Sequence, residues 1–190
     1  MKREDRSKAG ERSVSRRQFI HRSGVLAAGS ALAGVALPQV HAAEDNAIRL
    51  ALIGCGGRGT GAVANALTVP NGRAKLVAMA DVFQPRIDIS VRSLAREFGE
   101  AIDVPAERQF VGFDAYRKAI DCLRPGDVAL LTTHSGFRPV HFEYAVEKGV
   151  NVFMEKSFAP DPAGIRRIIR AGEAAEKKNL KIAAGLMCRH

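Results

Sequence analysis

Six short apolar runs, separated by longer stretches of helical periodicity, constrain this chain more than any other feature. The runs cover residues 47–53, 74–80, 108–111, 127–132, 151–154 and 180–186, and the helical patterns between them cover 59–67, 85–98, 114–123, 139–148 and 161–178. A strand followed by a helix must cross over before it pairs again, and the crossover leaves the next strand parallel to the first. Repetition of that unit predicts an α/β domain with a doubly wound parallel sheet of six strands, in the order 3-2-1-4-5-6. Local signals support the boundaries. Pro85 falls in the first turn of its helix, where its missing N–H does no harm. Asp114 stands where a helix cap is wanted, and Gly149 stands where the fourth helix should stop. The length agrees, since 190 residues suffice for one well-buried domain and are few for two.

The first run leads directly into Gly54-Cys55-Gly56-Gly57-Arg58-Gly59 and then into a helix. A G-x-G-x-x-G segment in that setting is the mark of a Rossmann-type dinucleotide-binding domain. Gly54 permits the tight turn, Gly56 lets the backbone approach a pyrophosphate, and Gly59 allows close helix–strand packing. Gly57 and Arg58 complete the loop, whose N–H groups and helix N-terminus attract the anion. Asp81 ends the second run, 22 residues beyond Gly59. An acid there accepts hydrogen bonds from the adenosine ribose and repels a 2′-phosphate, so the expected cofactor is NAD or NADP, with NAD favoured. Asp81 also reads as a cap for the next helix, and the two roles are compatible. Arg86 is near enough in sequence to soften the preference. Cys55 reads as a small filler of the loop; Cys122 and Cys188 have no evident role.

The net charge of +9 suggests a nucleic-acid partner until it is located. Residues 1–22 carry eight basic and three acidic side chains, whereas residues 43–190 carry 21 basic and 17 acidic ones, too even a balance for a nucleic-acid surface. The basic segment ends in Ser15-Arg16-Arg17-Gln18-Phe19-Ile20, which resembles the twin-arginine export motif. A weakly apolar stretch from 24 to 37 follows, and then Pro38-Gln39-Val40-His41-Ala42, which suits cleavage after Ala42. The expected division is therefore a Tat-type signal peptide over 1–42, a linker over 43–46 and an NAD(P)-binding Rossmann domain over 47–190. The Tat export machinery is then a partner, and the mature protein is periplasmic or otherwise exported. No apolar run reaches the roughly 18 residues of a membrane-spanning helix. Three scattered cysteines build no disulfide scaffold, and none has zinc-site spacing, so no metal is expected.

Two further segments fall at the carboxyl ends of predicted strands, where ligands bind in this architecture. One runs from Thr132 to His141 and the other from Asn151 to Ala159. Lys156, at the end of the fifth run, is placed to hydrogen-bond a substrate hydroxyl and assist proton transfer. An equally weighted alternative is a surface lysine paired with Glu155.

These features together resemble the dinucleotide-binding half of the Gfo/Idh/MocA oxidoreductases, the group around glucose-fructose oxidoreductase and inositol dehydrogenase. The resemblance rests on residues 54–59, on Asp81, on the segment from Thr133 to His141, and on Met154-Glu155-Lys156 with Asp161 after it. It implies that Lys156 is the catalytic residue beside the nicotinamide, and that Glu155, Thr133 and His141 lie near the cofactor. Ser157 stands where the family has proline, and His134-Ser135 where it often has Pro-Pro or Pro-Asn. Family members continue into a second α/β domain with substrate contacts and a catalytic histidine; the expectation is that this second substrate domain is absent here, with Arg189 and His190 at the start of the link to it.

The leading functional expectation is hydride transfer between the dinucleotide and a small-molecule sugar or polyol. An NAD-dependent glycosidase shares the same half, and a non-catalytic nucleotide-binding module is the expectation from a different class. Two further partners stay open, a second copy of the chain and a separate C-terminal domain.

Overall fold

The computed structural model describes residues 46–70 and 72–186. The predicted leader, most of the predicted linker, Cys188, Arg189 and His190 lie outside the described residues. Strand β1 (Ile48–Ile53) leads into α1 (Gly57–Leu67), β2 (Ala74–Asp81) and α2 (Gln84–Phe98). Two 3-10 turns then precede β3 (Gln109–Val111), which is followed by α3 (Ala115–Asp121), β4 (Val128–Leu131), α4 (Arg138–Lys148), β5 (Asn151–Glu155), α5 (Pro162–Lys177) and β6 (Ile182–Gly185). All neighbouring strands pair in parallel, and the order is β3-β2-β1-β4-β5-β6, as expected from the alternation.

Helices cover both faces. Val63 of α1 and Ile87 and Leu94 of α2 pack on Leu50, Leu52, Leu76, Met79 and Leu130. On the opposite face Ile120 of α3, Phe142 and Ala145 of α4 and Ala171 and Ala175 of α5 pack on Ile53, Leu131, Val152 and Met154. Strands buried on both faces explain why the runs read as nearly continuous apolar stretches. Each large side chain fully withdrawn from water contributes about 1.5–3 kcal/mol.

Most boundaries fall within two residues of expectation, and the departures have local causes. Helix α1 starts at Gly57, not at residue 59, because the Thr60 N–H already donates to Gly56 O at 2.9 Å. Asp161 caps α5 by accepting from the Gly164 N–H at 2.7 Å. Asp114 precedes α3 but makes no capping bond; its own backbone is helical (φ −93°, ψ 0°), whereas a capping side chain needs extended backbone. Helix α4 stops at Gly149 as predicted. The fold places the carboxyl ends of β1, β2, β4 and β5 along one edge. Between β1 and β4 the direction of crossover reverses, which opens a crevice at that edge.

Candidate dinucleotide site

The glycine loop is shaped by two steric demands. Gly54 has φ of 99°, in the left-handed region, and a Cβ there would lie 2.8 Å from the Thr133 backbone nitrogen. At Gly59 a Cβ would run into Gly54 O and would sit 2.6 Å from Thr132 Oγ1. Gly59 therefore lets α1 lie on the strand ends and does not itself reach the crevice. A Cβ on Gly56 would meet nothing within 4 Å. The loop thus opens onto free space, where the first turn of α1 has no side-chain cap. Uncapped N–H groups at a helix N-terminus are suited to an anion.

Asp81 is buried, and its carboxylate holds the loop. Oδ2 accepts from the Cys55 N–H at 2.7 Å and Oδ1 from the Phe83 N–H at 3.0 Å. Asp81 does not cap α2 as expected, because the N-cap is Phe83 and has no side-chain capping bond; the carboxylate instead holds the turn before the helix, and each oxygen keeps a second lone pair for a further donor. Burial, and next the Asp81 charge, push the Cys55 thiol upward, so it stays neutral and fills space beside Ala80 O.

Thr132, for which the sequence suggests no role, is part of the loop's support. Its Oγ1 donates to Gly54 O at 2.6 Å and lies 3.1 Å from Ile53 O. A hydroxyl on the residue after β4, next to the crossover reversal, was the available signal. The next residue, Thr133, meets His141 through Oγ1···Nδ1 at 3.3 Å. His141 also packs on Tyr116 with ring centroids 4.2 Å apart. Burial first, and then the neighbouring Arg138 charge, push the His141 pKa down to about 4. The imidazole is therefore neutral at pH 7 and available for hydrogen bonding.

These groups line one cleft of about 280 Å³, with Gly54, Gly56 and Asp81 at one side and Thr133, His134 and His141 at the other. His134 is exposed, and its Nδ1 accepts from the Gly136 N–H at 3.2 Å. Arg86 lines the cleft too, with its guanidinium carbon 5.1 Å from the centroid of the Phe83 ring.

Glu155 and Lys156 are arranged differently from the paired alternative. The buried Glu155 carboxylate accepts from Arg58 Nε at 2.7 Å and forms an ion pair with its Nη2 at 2.5 Å. Glu155 is the last residue of β5 and its side chain meets α1, whereas Lys156 lies in the bend that follows the strand. Lys156 is left exposed, with no partner among the described residues. Arg58, expected at the cofactor, spends its side chain on this ion pair; its main-chain N–H belongs to the first turn of α1. The Lys156–Ser157 peptide is cis. Arg58, Glu155 and Lys156 border the crevice edge and are not among the residues lining the cleft.

No family model matches the chain, and no curated protein matches it. Solved structures do. The scyllo-inositol dehydrogenase of Lactobacillus casei, determined with NAD(H) and scyllo-inositol, is 26% identical with a TM-score of 0.56, over 75% of this chain and 37% of that one. The structures that match this chain include NAD-binding oxidoreductases. The myo-inositol 2-dehydrogenase of Lactobacillus plantarum shares the fold at 21% identity and a TM-score of 0.57, over 75% of this chain and 37% of that one. The WlbA dehydrogenase of Chromobacterium violaceum, in complex with NADH and UDP-GlcNAcA, shares it at 23% identity and a TM-score of 0.51, over 74% of this chain and 35% of that one. The chain thus spans little more than a third of the length of these proteins.

Proposed function

We propose that this chain binds a nicotinamide dinucleotide, NAD in preference to NADP, and serves an oxidoreductase of the Gfo/Idh/MocA type acting on a sugar or polyol. One observation carries the reading: the open space in front of the uncapped N-terminus of α1, bounded by Asp81 on one side and Thr133 and His141 on the other. Its shape and donors suit a pyrophosphate flanked by two nucleosides. Gly56, Gly57 and Arg58 would meet the pyrophosphate through main-chain N–H groups, and Asp81 would accept from the adenosine ribose. The low identity to inositol dehydrogenases supports the same class of polyhydroxylated substrate and selects no member of it.

When bound, the nicotinamide supplies the hydride acceptor. Oxidation of a secondary carbinol then breaks its C–H bond as hydride and its O–H bond as a proton. Lys156 is exposed just beyond β5 with no partner among the described residues, so its ammonium is free to donate a hydrogen bond to the carbinol oxygen and offset the negative charge that develops there as the O–H proton passes to solvent water. Neutral His141 and the Thr133 hydroxyl line the side of the cleft away from Asp81. The leader, read as a twin-arginine signal, supports export with the cofactor already loaded and tightly held.

Titration calorimetry with NAD and NADP tests the cofactor. The expected result is saturable binding of both, tighter for NAD, with the preference reduced roughly tenfold in Asp81→Asn, the equivalent of about 1.4 kcal/mol. A folded chain that binds neither nucleotide refutes the reading.

A further inference from the structure

Arg138 is the least expected side chain in the molecule. It opens α4, where a positive charge opposes the helix dipole. It is also only 1% exposed, and a buried charge is expensive even where, as here, the nearby Glu155 carboxylate offsets part of the cost. Its hydrogen bonds among the described residues all go to main-chain carbonyls. Nη1 donates to Glu155 O and, at 2.9 Å, to Ser157 O, while Nη2 donates to Thr133 O. Nε has no partner. One planar fork therefore joins two loops, the one that follows β4 and the one that follows β5. Only guanidinium offers donors in that fixed geometry; an ammonium is a point charge with a shorter reach.

The carbonyls of Glu155, which ends β5, and of Ser157, in the loop after it, flank a single residue, Lys156. On the same stretch the Glu155 side chain is tied to Arg58 of α1. The lysine's backbone is thus pinned on both sides, while its side chain projects free. Both energetic penalties at Arg138 are local, and what they secure is the relative placement of two loops that sequence keeps about twenty residues apart.

We infer that Arg138 is a positioning residue: it locks the Lys156 turn to the Thr133 turn, so that the lysine, Thr133 and His141 present one fixed constellation to the bound substrate and cofactor. Its value to catalysis rests on the proposed function, whereas the coupling of the two loops does not.

Hydrogen–deuterium exchange, read by mass spectrometry on the full chain, tests it in wild type, Arg138→Lys and Arg138→Met, with NAD titration alongside. In wild type, segments 133–137 and 156–160 are expected to open together, at rates within about a factor of 2 of each other. In both variants those segments should exchange at least about tenfold faster while β1 keeps its protection. NAD affinity should change by less than about threefold, since the pyrophosphate loop keeps its own contacts with Asp81 and Thr132. Unchanged exchange in the two loops overturns the inference. So does an equal rise in β1, which would make Arg138 a general core residue. If neither variant folds, the wild-type rates decide alone: loops that open independently overturn the coupling. Coupled loops in a wild-type chain that binds no NAD support the clamp and remove the proposed function.

Discussion

The depressed pKa of His141 makes the stability of this domain depend on pH in a defined direction. The imidazole is buried against Tyr116 and lies near the Arg138 charge, and both resist protonation. Its pKa falls from 6.5 to about 4, roughly 2.5 pH units, which at about 1.4 kcal/mol per unit converts to about 3 kcal/mol. The sign follows from proton counts. Between pH 6.5 and about 4 the unfolded chain binds a proton at this position that the folded chain refuses. Stability is therefore fully present above pH 6.5, falls as pH drops through the window, and is lost in full below about 4. Carboxylates such as Glu143 and Asp121, held low by Arg167 and Lys148, lose stability in acid as well, so the measurement must be differential. His141→Phe keeps a ring against Tyr116 and removes the titration. Urea unfolding of both proteins by circular dichroism, from pH 7.5 to 4.5, should show wild type losing about 2–3 kcal/mol more than the variant. Equal pH slopes, or a folded-state His141 resonance that titrates near its unperturbed value, would refute the reasoning.

Three other predictions follow from the site and the leader. Gly59→Ala drives a methyl into Gly54 O and Thr132 Oγ1, so it should destabilise the fold by about 1–3 kcal/mol and weaken NAD binding in calorimetry; a stable variant with wild-type affinity would show that α1 does not need its close approach. In any preparation that turns over a polyol, Lys156→Ala should lower kcat by roughly 10²-fold or more and leave NAD affinity nearly intact, and an unchanged rate would return Lys156 to an ordinary surface lysine. Periplasmic protein purified from its host should begin at Ala43 on N-terminal sequencing and release a dinucleotide on denaturation, whereas Arg16→Lys with Arg17→Lys should retain it in the cytoplasm.

How much was legible varied with how local each cause is. The glycine loop and the stop at Gly149 depend on a few neighbouring residues, so spacing alone located them. Asp114 shows the limit of that approach: the right residue stands at the right position, but the helical backbone it adopts in the fold withholds the cap. Glu155 shows another. Its adjacency to Lys156 suggested a pair, yet Glu155 ends β5 with its carboxylate on Arg58 of α1, and Lys156 lies exposed in the bend beyond the strand. Arg138 is a third case, a buried side chain of a type that ordinarily lies at the surface. The one hint was a local conflict, a basic residue set at the first turn of a helix just before Pro139, and unexplained conflicts of that kind mark positions a fold has reserved for another purpose.

The sequence by itself determined the alternation of strands and helices, and through it the parallel sheet, its order and the position of the phosphate loop. These follow from periodicity and backbone preference, which act over a few residues. Only the tertiary structure decided the partnerships at the sheet's carboxyl edge: Asp81 with the Cys55 N–H, Thr132 with Gly54 O, Arg58 with Glu155, and Arg138 with the carbonyls of two loops. Each joins residues on different elements, and their closeness exists only once crossover connections have laid β1, β2, β4 and β5 side by side.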